Sequence, residues 1–163
     1  MPRLLLMRHA KSSWADSTLG DHERSLNDRG VAAAAAMGQY VDREGIVPDR
    51  LLVSTARRTR ETIAGVLAQT TGWPTPAFEE RLYAASASRL AGLVRTTEAN
   101  IRTLMLVAHN PGMQMLARDL GGRDAWRLVG KFPTGALATI EWDGSWAEAG
   151  RGALTHFVAP RDL

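Results

Sequence analysis

The sequence predicts an α/β fold, a three-layer α/β/α sandwich around a mostly parallel sheet with an antiparallel edge strand. Three observations predict it. Apolar runs at 3–8 (RLLLMR), 50–54 (RLLVS) and 103–108 (TLMLVA) are continuous rather than alternating, as strands covered on both faces require. Helical patterns separate these runs, which is the arrangement of a parallel sheet. Two later segments, 136–142 (ALATIEW) and 153–158 (ALTHFV), lie among turn residues and are expected to pair antiparallel at the sheet edge.

The first helix is predicted over 28–44, with Asn27 as its N-cap and Gly45 beyond its end. A second follows Ser54 or Thr55 and runs over 56–71, stopping before Gly72. A third spans 86–99, capped by Ser86 or Ser88. A fourth spans 112–120 and closes on Gly121-Gly122. The expected order is β-α-β-α-α-β-α-β-β. No internal repeat or linker interrupts it, so residues 1–163 are expected to form one domain.

Composition narrows the function. The chain is 45% hydrophobic and 23% charged, and no apolar run approaches the roughly 20 residues of a membrane span. The first residues enter a strand without the h-region of a signal peptide, so a cytoplasmic location without membrane partners is expected. The absence of cysteine excludes disulfides, thiolate nucleophiles and thiolate-held metals. Net charge is +3, from 20 basic and 17 acidic residues. These basic residues are scattered, so the isoelectric point near 9.9 alone does not indicate nucleic acid.

In open α/β sheets, ligands sit beyond the carboxyl ends of the strands. Three segments are therefore decisive: Arg8-His9-Ala10-Lys11, Ser54 to Arg58, and His109-Asn110-Pro111-Gly112. Two of the four histidines end equivalent strands, "LLLMRH" and "LMLVAH". One strand-end histidine is ordinarily a hydrogen-bonded packing residue, but two at one edge are harder to explain so. Arg8 precedes the first, and "STARRTRET" at 54–62 adds Arg57, Arg58 and Arg60. Guanidiniums and helix N-termini together suit a phosphate dianion. A neutral imidazole among them can attack phosphorus and form a phosphohistidine, without a metal or other cofactor.

At these residues the chain resembles the histidine phosphatase superfamily, which includes phosphoglycerate mutases and acid phosphatases. Its Arg-His-Gly signature is similar to Arg8-His9-Ala10, with alanine for glycine. The longer mutase form resembles "RHAKSSWA", where Ser12 and Trp14 match and Ala15 replaces an asparagine. Leu26-Asn27-x-x-Gly30 and "STARRTRET" resemble two further motifs. The resemblance implies His9 as nucleophile, with Arg8, Arg58, His109 and Ser12 around the phosphoryl group. Whether Arg57 or Arg60 also enters stays open.

Shortness and the segments "RHAKS", "RLYAAS" and "HNPG" look most like the SixA-type phosphohistidine phosphatases. Relatives with a general acid carry Leu-x-Glu after the middle strand. Here Leu82 is followed by Tyr83 and Ala84, leaving Glu80 as the candidate proton donor beside a bland surface reading for both Glu79 and Glu80. Imidazole leaves phosphohistidine more easily than an alkoxide leaves an ester, so a missing acid favours the N–P substrate. About 30 residues separate Trp73 from Arg102, too few for a cap insertion. The expectation is a phosphatase acting on phosphohistidine in proteins. A small-molecule phosphomonoesterase is the alternative within the same chemistry, and a non-enzymatic phosphate-binding module the alternative outside it. His22 and His156 are expected at the surface or sheet edge, Lys131 in a loop, and the five tryptophans in packing.

Overall fold

A computed structural model describes residues 1–150 and 152–163. Six strands form one sheet: β1 Arg3–Arg8, β2 Arg50–Ser54, β3 Ala77–Glu79, β4 Thr103–Ala108, β5 Leu137–Glu141 and β6 Ala153–Val158. Their spatial order is β3-β2-β4-β1-β5-β6. The first four strands of that order are mutually parallel, and β5 pairs antiparallel with both β1 and β6. The reversed strand therefore lies one place in from the edge, which β6 occupies.

The helices are α1 Asp28–Arg43, α2 Arg57–Leu67, α3 Ala87–Arg95, α4 Gly112–Leu120 and a single turn, α5 Ala125–Leu128. Strand β3 and helix α5 were not foreseen. β3 carries no apolar run, because two of its three residues are exposed at the sheet edge. It separates α2 from α3, so the consecutive helices of the expected order do not occur. The predicted 56–71 and 86–99 helices end early, at Leu67 and Arg95. Threonines near their ends disfavour helix, and Thr70, Thr96 and Thr97 bond back to preceding carbonyls.

Alternation along the buried strands divides the interior into two cores. Leu4, Leu6, Leu104 and Leu106 face α3 and α4, where they meet Leu90, Val94, Met113 and Leu116. Leu5, Met7, Met105 and Val107 face α1 and α2, against Met37, Val41, Ile63 and Val66. Both faces are thus covered, which explains why these strands read as unbroken apolar runs. Asn27 caps α1 by accepting from the Gly30 amide at 2.9 Å, and Ser86 caps α3 through the Arg89 amide at 3.2 Å.

Two close approaches pack helix starts against neighbouring loops. A Cβ on Gly30 would stand 2.1 Å from the Lys11 carbonyl oxygen, and one on Gly112 would stand 2.3 Å from that of Ala85. α1 and α4 begin directly beneath the loops that carry the candidate chemistry.

Candidate active site

Parallel register sets His9 and His109 side by side. Arg8 pairs with Ala108 across β1 and β4, so the next residue of each chain segment emerges at the same sheet edge. Their ring centroids lie 5.3 Å apart, and both residues are 6% exposed. β2 ends beside them and contributes Ser54, whose hydroxyl lies 2.8 Å from His109 Nε2.

The His9 ring is oriented by its neighbour. Nδ1 lies 2.7 Å from the Ala10 carbonyl oxygen and donates to it, which leaves the lone pair on Nε2. Burial, reinforced by the charges of Arg58, Arg8 and Arg24, lowers the His9 pKa to about 4 despite that favourable hydrogen bond. Burial, Arg58 and His9 lower His109 to about 3. Both imidazoles are neutral at neutral pH. The Ala56 amide donates to Ser54 Oγ at 3.4 Å, and we assign the Ser54 hydroxyl proton to its 2.8 Å contact with His109 Nε2. Nδ1 of His109 then carries its own proton.

Ala10, at the glycine position of the Arg-His-Gly signature, causes no conflict. Its φ is not in the left-handed region, its methyl is buried against Leu26 and Ala34, and its amide donates to Thr62 Oγ1 at 2.9 Å.

Each arginine is held by one end. Arg8 Nη1 donates to the Phe132 carbonyl at 3.0 Å. Arg58 donates to Asp21 twice, from Nη1 to the backbone oxygen at 2.7 Å and from Nη2 to Oδ2 at 3.1 Å. Among the described residues, three buried side-chain nitrogens or oxygens lack a hydrogen-bond partner: Arg8 Nε, Arg58 Nε and His109 Nδ1. All three belong to this site and all three are donors. A buried donor left unpaired costs about 1–3 kcal/mol, so their clustering defines a place shaped for an anion's oxygens. Burial and the neighbouring Arg58 lower the pKa of Arg8, a further sign of uncompensated positive charge.

Ser12 stands apart from this group. It is buried in a bridge to Leu26, and its hydroxyl accepts from Arg24 Nη1 at 3.0 Å. Glu80 is exposed in the 3₁₀ turn Glu80–Leu82, and its carboxylate joins none of the site's hydrogen bonds. Arg57 is exposed on α2 and paired with Glu61 at 3.4 Å, and Arg60 is also exposed. Lys131 is exposed and lies in a loop.

Several residues of the site escaped the sequence reading. Asp21 accepts from Tyr83 Oη at 2.5 Å as well as from Arg58. The Tyr83 hydrogen bond, with Arg58 and Arg24, lowers its pKa to about 2. Tyr83 stacks edge-on against both His22 and His109, at 4.8 and 5.5 Å. His22 is accordingly not a plain surface residue: its Nε2 lies 2.9 Å from Thr55 Oγ1. Arg24 is buried and lies 3.5 Å from the Trp14 ring centroid. Asp21 and Arg24 lie within a 3₁₀ turn or beside it, in a stretch without periodicity, so only their charge in an otherwise loop-like segment marks them.

No group of three or more metal-ligating side chains occurs among the described residues. A cavity of about 580 Å³ lies away from this group, around Asp49, Arg50 and Glu98. There the charges satisfy one another, with Arg50 and Glu98 paired at 2.9 Å.

Over 95% of its length the chain is 37% identical to an uncharacterized protein of Mycobacterium tuberculosis, all of which it covers. It is 33% identical to an uncharacterized chloroplastic protein of Arabidopsis thaliana, covering 97% of this chain and 78% of that one. Among solved structures it is similar to SixA of Agrobacterium tumefaciens, a proposed phosphohistidine phosphatase. The TM-score is 0.85 at 29% identity, covering 98% and 99% of the two chains. A protein histidine phosphatase SixA complexed with tungstate shares the fold, with a TM-score of 0.83 at 20% identity and 99% of each chain covered. Residues 4–102 match the model of the histidine phosphatase superfamily (branch 1), and the chain belongs to that superfamily.

Proposed function

We propose that this phosphatase removes phosphoryl groups from phosphohistidine side chains of proteins, through a covalent intermediate on His9. The observation that carries the reading is the convergence of three unpartnered buried donors on Arg8, Arg58 and His109 beside a neutral imidazole. The phosphoryl oxygens occupy these donors as charge develops, and donors fixed before the reaction stabilise the transition state without reorganising. His9 Nε2 attacks phosphorus, forming one N–P bond while the N–P bond to the substrate imidazole breaks. The substrate imidazole, already protonated on its other ring nitrogen, keeps the bonding pair and departs as a neutral molecule. Water then attacks phospho-His9, releasing inorganic phosphate and restoring the imidazole.

The choice of an N–P substrate rests on the missing acid. Asp21 is the carboxylate that pairs with Arg58 of the site, and its Tyr83 hydrogen bond keeps it ionised at neutral pH. An ionised carboxylate cannot protonate an alkoxide, whereas a phosphohistidine protonated on its other ring nitrogen, a group of pKa about 6.5, expels neutral imidazole without such help. A protein substrate is supported by the short connection between β3 and β4, which consists of a 3₁₀ turn and α3. A flexible surface histidine could reach His9 across it. SixA, the similar structure named above, is itself proposed to act on phosphohistidine.

Brief mixing with phosphohistidine peptide, followed by denaturation, tests the proposal. An acid-labile, base-stable phosphoryl group is expected on His9 and absent in His9→Ala, whose turnover should fall at least about 10³-fold. Faster turnover of sugar phosphates or p-nitrophenyl phosphate than of phosphohistidine peptide would overturn the substrate assignment. Phosphate binding without turnover in the unaltered protein would overturn the enzymatic one.

A further inference from the structure

A second cationic cleft adjoins the candidate active site from behind its first loop. It has a volume of about 220 Å³ and is walled by Lys11, Arg29 and Arg161, over apolar residues that include Ala33, Pro133 and Pro160. Three chain segments that converge on the His9 loop build it. Gly30 abuts the Lys11 carbonyl, which brings Arg29 alongside. The Gly135 amide donates to the Arg8 and His9 carbonyls at 3.1 and 2.9 Å, which anchors the 133–135 turn. Gly135 takes a φ of 77°, and a Cβ there would stand 2.9 Å from Pro160, so this turn admits glycine and little else.

The three cations have no ion-pair or hydrogen-bond partner among the described residues. No carboxylate lines the cleft, and neighbouring Asp162 is engaged in capping the Ala159 amide at 2.8 Å. The volume is below the roughly 300 Å³ at which small-molecule pockets begin, and suits one side chain. An apolar floor beneath a cationic rim matches methylenes that end in a carboxylate. We propose that the cleft is a specificity subsite that receives an acidic side chain of the phosphohistidine protein, close in space to the phosphorylated histidine. This proposal rests on the protein-substrate reading above.

Peptides carrying phosphohistidine flanked by glutamates, glutamines or lysines test it, by fluorescence anisotropy on His9→Ala protein at low salt. Glutamate flanks are expected to bind roughly five- to tenfold tighter than glutamine flanks, given weak but additive exposed pairs. R29E/R161E, added to His9→Ala, should abolish that preference or turn it toward lysine. R43E/R127E makes the same change in net charge away from the cleft and should preserve it. Both pairs of arginines are exposed, so folding should survive. Equal binding of glutamate and glutamine peptides overturns the subsite, as does equal loss of preference in the two charge-reversal variants. Turnover of the same peptides by protein with His9 intact is read separately. Its failure would remove the phosphatase reading, while the binding preference still decides the subsite.

Discussion

Asp21 has the most consequential role among residues outside the recognised motifs. Its carboxylate holds Arg58 in place while its charge opposes an incoming dianion. Asp21→Asn keeps an acceptor and the backbone contact to Arg58 but loses the charge-assisted bond at 3.1 Å. Positioning then suffers while electrostatic repulsion falls. The expected result in steady-state kinetics is a kcat lowered roughly five- to tenfold, about 1 kcal/mol, with KM unchanged or lower. A raised KM with unchanged kcat would show that Asp21 helps only binding. Ala84 shows a related local compromise. It adopts a φ of 53°, unusual for a residue with a side chain, directly after the tyrosine that reaches Asp21.

Helix starts set the site's rigidity. α1 begins with its Asn27 cap and its Gly30 in direct contact with Lys11, two residues beyond His9. Gly30→Ala would force a methyl against a backbone carbonyl 2.1 Å away, where no flexible side chain can yield. Denaturant unfolding should show a loss of about 2 kcal/mol or more, by analogy with overpacked cores, although alanine is intrinsically the better helix former. Stabilisation by the substitution would mean that helix propensity outweighs the contact. The same crowding makes the Leu26-Asn27-x-x-Gly30 motif intelligible: asparagine caps the helix, and glycine lets the helix touch the loop after His9.

At the scale of the whole molecule, two neutral buried histidines make the fold acid-sensitive. The folded pKa of His9, about 4, lies below the ordinary value of about 6.5 expected in the unfolded chain. Between these values the unfolded state binds more protons, so stability rises with pH across this window and is lost as pH falls through it. His9 alone accounts for up to about 3 kcal/mol, and His109, with a pKa of about 3, acts in the same direction. Unfolding free energies between pH 4 and 7 should therefore climb in the native protein and climb less in His9→Ala. A flat profile would show that the imidazoles titrate as if exposed. Activity should follow the same sign, since only neutral His9 carries a free Nε2 pair.

The contrast between chain and fold follows from the range of the forces involved. Unbroken apolar strands, alternating helices and the Arg-His and Ala-His strand ends are local patterns, because burial on both faces and strand-end placement act on neighbouring residues. They were enough to predict the sheet, its two covered faces and a cluster of Arg8, His9, His109 and the arginines of 57–60 at one edge, among which only the family resemblance singled out Arg58. β3 escaped because an exposed edge strand of three residues carries no apolar period. The roles of Asp21 and Tyr83, and the pairing of Ser54 with His109, escaped for another reason. Their contacts span 37 residues between Asp21 and Arg58, 62 between Asp21 and Tyr83, and 55 between Ser54 and His109. No local pattern records such distances. The sequence by itself determined which side chains could do phosphoryl chemistry; packing decided which of their nitrogens are held, which are left unpartnered, and that both imidazoles are buried deeply enough to stay neutral.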